Sequence, residues 1–307
     1  MKNLFITICL VLFASSMYAQ QLPLTESYFV DKYSLSSAYA GNSENKSLFV
    51  NYRRDWSGVS TGPRTIRLSY HDELGLNAGL GGKVILDQIG IFKNLFAMGT
   101  YSYRLKVAPD QLLIFGLSAG IHQNWIDFSD YYNDPDFNID PSMINKDVKS
   151  KMMFVSDFSM IYSYRNRLQA GFLFSNISYS DTKYAEVRTT YNPFIHYQLH
   201  ASYVIPVDGV WRITPLAIYR GGKHLNDQFE IASQFMYNDK LWGSLAHRGK
   251  NIFCLGFGLN ISKGIIMNYT YNFFTGVSVR QFQNHELSIG LRLGEFFPKR
   301  VDSMESK

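Results

Sequence analysis

The chain has 307 residues and a formal net charge of +5, and 18% of its residues are charged and 16% aromatic. The modest charge, without any Lys/Arg cluster interleaved with aromatic residues, argues against a nucleic-acid-binding protein. After residue 20, no stretch contains the roughly 18 consecutive apolar residues that a membrane-spanning helix requires.

Residues 1–19 are predicted to form a secretory signal peptide. Lys2 provides the positive start, Leu4–Phe13 the apolar stretch and Ala14–Ala19 the small-residue cleavage region. The alternative, an N-terminal anchor helix, is disfavoured because the apolar stretch is shorter than the roughly 20 residues that span a bilayer. Cleavage would remove Cys9 and leave Cys254 as the single cysteine, so we expect no internal disulfide in the mature chain.

About fourteen strand-like runs follow, each with apolar side chains alternating with small or polar ones. Such alternation places the two sets on opposite faces of a strand. In one clear run the two faces are Phe253, Leu255, Phe257 and Leu259 against Cys254, Gly256, Gly258 and Asn260. A soluble sandwich would alternate in the same way, but its apolar face would pack on a second sheet. The number and length of the runs predict an all-β fold, a transmembrane antiparallel β-barrel of outer-membrane type, over residues 48–297.

The connections between runs are predicted to alternate short and long, as in outer-membrane barrels. The short set comprises His71–Gly75, Ala108–Asp110, Arg165–Arg167, Val207–Gly209, Asn238–Asp239 and Ser262–Gly264. The long set comprises Arg54–Pro63, Gln88–Asn94, Ser129–Ser150, Tyr179–Asn192, Gly221–Asp227, Thr275–Asn284 and, as a weak member, His247–Lys250.

Two segments flank the predicted barrel. Residues 20–47 could fill the lumen or lie below it, because a barrel much larger than eight strands cannot be filled by its own strand side chains. Residues 298–307 form a charged tail. We expect an integral protein of the bacterial outer membrane, with its N-terminus in the periplasm.

Several short motifs are not generic barrel sequence. They are Ala38–Gly41, Tyr52–Val59 with Gly62-Pro63, Gly79–Gly82, Asp87–Gly90, Tyr101–Arg104 before Leu113–Gly120, and His285–Ser288. Together they resemble the PorP/SprF family of outer-membrane proteins, which is associated with type IX secretion and gliding motility in Bacteroidota. The chain departs from the family in having Ser36-Ser37 where Asn-Pro usually precedes Ala-Tyr-Ala-Gly.

The resemblance implies a non-enzymatic barrel that binds or anchors an exported surface protein, adhesin-like and with a C-terminal targeting domain. It also implies links to periplasmic or peptidoglycan-linked type IX components. The loops Ser129–Ser150 and Tyr179–Asn192 are the main candidates for holding the exported protein. The family-motif or partner-binding candidates are Tyr39, Gly41, Tyr52, Arg53, Asp55, Trp56, Gly58, Pro63, Asp87, Gly90, Tyr103, His285 and Glu286.

Simpler roles are open for some of these residues. Arg53, Arg54 and Asp55 could form a local charge network, or they could hold the first loop in a shape that a partner recognises. Trp56 could anchor the chain at the membrane interface. The motif glycines could merely allow close packing in a curved sheet.

Two other functions compete with the partner-barrel hypothesis. A transport channel is compatible with the polar inward residues. A barrel hydrolase would need a nucleophile, a base and an orienting group within hydrogen-bond reach of one another. His196, His200 and Ser202 would lie on the same face of one strand. His285 and Ser288 would lie on opposite faces of theirs, which argues against a shared site there. No catalytic, cofactor or metal residues are therefore predicted, and no cofactor. The acidic segment Asp127–Asp140 is rich in oxygen ligands and could bind calcium, but it does not match the EF-hand spacing, so a hydrated surface loop is the favoured interpretation.

Overall fold

A computed structural model describes residues 24–42, 46–75, 77–127, 148–178, 182–184, 187–189, 195–222, 225–275 and 283–296. Among these residues, no helix has the length and apolar character needed to cross a membrane. The predicted signal peptide and the charged tail, residues 298–307, lie outside the described residues.

The described chain is built almost entirely from antiparallel strands. The fourteen long strands are β1 Ser47–Arg54, β2 Arg64–Gly75, β3 Ala78–Ile89, β4 Phe92–Ala108, β5 Gln111–Ile126, β6 Met153–Tyr164, β7 Leu168–Ser178, β8 His196–Tyr203, β9 Trp211–Gly222, β10 Leu225–Tyr237, β11 Leu241–Arg248, β12 Ile252–Asn260, β13 Ile265–Phe274 and β14 Asn284–Arg292. The shorter elements are the 3-10 turns Ser27–Phe29, Lys32–Ser34 and Ser37–Tyr39, the extended pieces Val148–Lys149, Thr182–Tyr184, Val187–Thr189 and Ile205–Pro206, and the helical turn Leu293–Phe296.

The sheet closes on itself. Each long strand pairs with the next one in the chain, and β1 pairs with both β2 and β14. At the closure, Arg53 of β1 lies opposite Thr65 of β2 and Glu286 of β14. Closure removes the free edges that a bilayer would leave without hydrogen bonds. The predicted fold, an antiparallel outer-membrane barrel of about fourteen strands, is confirmed.

The two faces of the wall are chemically distinct. On β12, Leu255 and Phe257 point outward and are 46% and 56% exposed, whereas Cys254 points inward and is buried. On β10, Phe229 and Ile231 face outward on either side of the buried Glu230. The outward surface is therefore apolar and the interior is polar, as expected when lipid replaces water outside the barrel.

The predicted loop rhythm is wrong at two of the main long links, and the weak long link His247–Lys250 is also short, since β11 ends at Arg248 and β12 begins at Ile252. β3 ends at Ile89 and β4 begins at Phe92, so the expected long link Gln88–Asn94 is a two-residue turn. Gly90 adopts a positive φ of 58°, which allows such a tight reversal. Likewise, β9 ends at Gly222 and β10 begins at Leu225. Both errors arose because polar residues inside long strands resemble loop residues when only composition is considered.

Residues Leu24–Asn42, here called the plug, lie inside the barrel. Gly41 approaches the backbone of Asp72, near the end of the wall that carries the short turns. Thr25 donates a hydrogen bond of 2.5 Å to Glu286, at the opposite end. The plug therefore runs along the lumen towards the end with the long connections. The predicted periplasmic N-terminus lies before the described residues and stays a prediction, although the path of the plug favours the opposite side if the short turns face the periplasm.

Candidate functional site: the plugged lumen

The plug lies in a groove that glycines make possible. A Cβ atom added at Gly116 would lie 2.3 Å from the amide nitrogen of Ala38, and one at Gly79 would lie 2.4 Å from the carbonyl oxygen of Ala40. Gly41 has a φ of +63°, and a Cβ there would lie 2.4 Å from the carbonyl oxygen of Asp72. These positions require glycine because two backbones approach each other closely.

Serine hydroxyls fix the plug backbone within this groove. The amide of Ala38 donates to the Oγ atom of Ser159 at 2.8 Å, and Ser102 donates to the carbonyl oxygen of Ala40 at 2.5 Å. The motif segments around residues 38–41, 79–82 and 113–120 thus meet at one place. Their shared role is to seat the plug against strands β3, β4, β5 and β6.

Two plug tyrosines reach across the lumen. The Tyr33 hydroxyl lies 2.6 Å from the hydroxyl of Thr100. The Tyr39 hydroxyl donates to Gln169 at 3.2 Å and lies 3.4 Å from Nε2 of His200. Burial raises the pKa of Tyr39, so its hydroxyl stays protonated and available as a donor.

A cluster of charges holds the plug at the long-connection end. The Glu26 carboxylate lies 3.1 Å from Arg53 Nη1 and 2.9 Å from Arg248 Nη1, and it accepts a 2.8 Å hydrogen bond from Asn272. Arg53 in turn pairs with Glu286 at 3.1 Å and with Asp55 at 2.8 Å. Burial alone would raise the pKa of Glu26, but the guanidinium groups of Arg248 and Arg53 lower it to about 2.

A second branch of the cluster begins at Tyr28. Its hydroxyl donates to Glu230 at 2.6 Å, and Glu230 pairs with Arg220 at 2.6 Å. Arg248 lies opposite Glu230 on the neighbouring strand and joins the two branches. Three arginines therefore face three glutamates, and this balance compensates much of the desolvation cost of the buried charges. The anchor cluster is defined as Glu26, Arg53, Arg220, Glu230, Arg248 and Glu286.

The cluster also reaches the first loop. Asp55 donates its amide to the carbonyl oxygen of Pro63 at 2.9 Å, which closes the loop. Trp56 has a positive φ of 53° and donates its amide to the side chain of Asn284 at 3.1 Å. Because Asp55 also pairs with Arg53, the shape of this loop is connected to the plug through two ion pairs.

The sequence candidates separate into three groups. Those in the plug or its anchor are Tyr39, Gly41, Arg53, Asp55 and Glu286; those in the first loop are Trp56, Gly58 and Pro63; those elsewhere are Tyr52, Asp87, Gly90, Tyr103 and His285. In the last group, Tyr52 and Tyr103 face outward and are 43% and 40% exposed. Asp87 faces the lumen and accepts a 2.7 Å hydrogen bond from Thr65.

Sequence reasoning missed Glu26, Arg220, Glu230 and Arg248. Three of them occupy inward positions on strands, but only Glu230 lies between two outward apolar residues, Phe229 and Ile231, so the alternation carried a signal for buried charge at that position. Nothing comparable marked Glu26, because the plug has no strand periodicity.

A polar cavity remains between the plug and the wall at the short-turn end. It has a volume of about 680 Å³, and its lining includes Lys32, His71, Glu73 and Arg104. Lys32 donates to Gln169 at 2.9 Å. The lumen is thus only partly filled at this end.

The described residues give little support for a metal site. No group of three or more His, Cys, Asp or Glu side chains there is arranged to hold a metal ion. The acidic segment 127–140 lies outside the described residues except for Asp127, which pairs with Lys93. The candidate cargo loops 129–150 and 179–192 also lie largely outside them.

A closed barrel of fourteen strands, apolar outside and polar inside, defines an integral outer-membrane β-barrel protein. The family model for the type IX secretion system membrane protein PorP/SprF matches residues 17–291. The chain belongs to this family.

Solved structures share the barrel fold at low identity. The toluene transporter TbuX of Ralstonia pickettii is 9% identical, with a TM-score of 0.53, and the match covers 84% of this chain and 92% of that chain. A FadL homologue of Pseudomonas aeruginosa is 10% identical, with a TM-score of 0.52 and the same coverage of both chains. No curated protein matches the chain.

Proposed function

We propose that this protein is a non-enzymatic partner barrel of type IX secretion. It would bind or anchor an exported surface protein that carries a C-terminal targeting domain, link to periplasmic or peptidoglycan-linked components, or do both. Membership of the PorP/SprF family supports the secretion role. The observation that carries the mechanism is the plug, because a segment that runs along the lumen and is anchored there by buried ion pairs favours retention over free passage.

The two ends of the barrel would face different compartments and contact different partners. By the general rule for outer-membrane barrels, short turns face the periplasm and longer loops face outward. The loop Asp55–Pro63 would then lie at the cell surface with a shape fixed by Arg53. Recognition by preformed loops needs no energy source in the barrel itself, so export would be driven by other components.

A passive channel is the second candidate function. The cavity of about 680 Å³ at the short-turn end favours it, because that part of the lumen is open. Conduction would still require the plug to move away from the anchor cluster. The channel hypothesis therefore predicts steady ion conductance in planar bilayers without a stable protein partner.

Affinity purification from the native outer membrane tests the proposal. The full chain, tagged after Lys307, should co-purify with a secreted protein bearing a type IX C-terminal domain or with type IX lipoproteins, identified by mass spectrometry. Replacing Trp56 with Ala should reduce recovery of a surface partner, whereas Tyr103→Ala, on the lipid face, should not. A folded barrel that purifies alone and conducts steadily would overturn the proposal in favour of the channel.

A further inference from the structure

A row of basic side chains lies on the outer surface of the wall where β14, β1 and β2 meet. Arg54 is the direct register partner of Arg64 on one side and of His285 on the other. Directly opposite residues of an antiparallel pair share a face, with Cβ atoms about 5 Å apart. All three side chains therefore project outward together, at the end of the barrel that carries the long connections.

This row has no counter-charge in the part of the chain that the structure describes. Neither arginine forms an ion pair there, and Nε of Arg54 is buried without a hydrogen-bond partner. The contact of Arg64 is a long one, 3.5 Å from Nη2 to the carbonyl oxygen of Ser60. By contrast, Arg53 one residue away makes ion pairs with three carboxylates inside the barrel.

Such an arrangement is unfavourable by itself. Like charges directly opposite each other on a sheet repel, and the repulsion grows where the surroundings are less polar than water. An anion from outside the chain would remove this cost. Guanidinium groups bind phosphate with paired N–H donors, which makes phosphate the anion that two adjacent arginines match best.

The surroundings indicate that the phosphate belongs to a lipid. The next outward positions towards the barrel centre are Tyr52 and Ile66, which are 43% and 46% exposed and meet the hydrocarbon region. His285 is oriented by the hydroxyl of Tyr269, 2.6 Å from its Nδ1. In the tautomer whose Nδ1 accepts a hydrogen bond from this hydroxyl, Nε2 carries a hydrogen and is a further donor. Cations directly above an apolar belt lie at the depth of lipid headgroups.

We propose that Arg54, Arg64 and His285 form a binding site for the phosphate group of an outer-leaflet lipid. The site lies on the membrane-facing surface and is independent of whether the barrel binds an exported protein. Its neighbour Arg53 belongs to the anchor cluster, so the same strand would contact lipid outside and the plug inside.

Native mass spectrometry of the detergent-purified full chain tests the site with two probes, bis-phosphorylated lipid A and the same lipid after dephosphorylation. We expect the wild-type barrel to bind the phosphorylated probe at least about tenfold more tightly, as charged hydrogen bonds of ordinary strength would give. The double variant R54Q/R64Q should lose this preference, and R54K/R64K should keep part of it.

The matched control is R165Q/R167Q, which removes the same charge from an exposed turn at the opposite rim. It should retain the full preference. Equal loss in the control, or an unchanged preference in R54Q/R64Q, would overturn the proposal. Displacement of the lipid by an equal concentration of inorganic phosphate would overturn the lipid assignment. Heat-modifiable migration in gel electrophoresis verifies that every variant has formed its barrel.

Discussion

Replacing Glu26 with Gln should loosen the plug. The change keeps the shape of the side chain but removes the charge that faces Arg53 at 3.1 Å and Arg248 at 2.9 Å. Among the described residues, Arg248 would then retain only Glu230, at 3.9 Å, as an ion-pair partner. A buried arginine without adequate compensation is far less stable than the intact pair.

The size of the effect follows from the pKa of Glu26. The anchor cluster lowers this pKa from 4.5 to about 2, which corresponds to about 3 kcal/mol of stabilisation of the ionised form in the seated plug. Removing one partner of a buried ion pair costs about 3–5 kcal/mol in general, which agrees. A loss of about 3 kcal/mol would raise the population with a displaced plug by roughly a hundredfold.

Thiol labelling measures this population. Ser36 is 1% exposed, and its hydroxyl has no hydrogen-bond partner in the described part of the chain, so Ser36→Cys adds a buried thiol with little disturbance. With Cys254→Ser in the background, maleimide should react with the new thiol roughly a hundredfold faster when Glu26 is replaced by Gln. The matched control is Glu73→Gln, whose partner Arg104 is partly exposed, and it should change the rate by less than about fivefold.

The pH dependence gives a second check with a defined sign. Because the pKa of Glu26 is lowered on seating, its contribution is complete above about pH 4.5 and is lost as the pH falls towards 2. In planar bilayers, the Glu26→Gln variant should conduct more than the wild type at pH 7, and the difference should shrink over that range. Equal labelling rates for wild type and variant, or an equal increase for Glu73→Gln, would refute the reasoning.

Three further outcomes are expected. Leu255→Arg should prevent barrel insertion, because an arginine near the midplane of the lipid face costs about 2–4 kcal/mol. The control Leu112→Arg faces the cavity and should still give barrels that show heat-modifiable migration. Gly116→Leu should unseat the plug, since its Cβ would lie 2.3 Å from the Ala38 nitrogen; unchanged Ser36→Cys labelling would contradict this. An epitope placed before Leu24 should bind antibody on intact cells, and binding only after permeabilisation would show that the plug enters from the other side.

The wall of the barrel was predictable because lipid imposes a simple rule on it. Every second residue meets hydrocarbon, so Leu255 and Phe257 could be assigned to the outer face from alternation alone. The same rule assigns Gly258 to the lumen, where it lies. It could not reveal that the ring of Trp242 occupies the adjacent space, 2.2 Å from where a Cβ would be.

The plug was not predictable in the same way. Its three 3-10 turns have no period that sequence reasoning could detect, and its decisive contacts are distant in the chain: Glu26 and Glu286 are 260 residues apart. The motif glycines were visible in the sequence, but packing within a curved sheet explained them equally well. The close approach of the plug backbone to Gly79 and Gly116 in the structure separates the two explanations.

Strand β1 contributes residues to both the anchor cluster and the proposed lipid site, because successive side chains of a strand point to opposite faces. Arg53 and Arg54 are adjacent in sequence, yet one faces the buried carboxylate of Glu26 and the other faces the lipid. Both lie immediately before Asp55, which begins the first loop. A partner that moves this loop would act on Arg53 through the Asp55 ion pair and on Arg54 through the shared backbone. The proposed loop binding and lipid contact would therefore be linked mechanically to plug seating at a single strand end. The alternation of faces lets each arginine be altered without removing the contacts of the other.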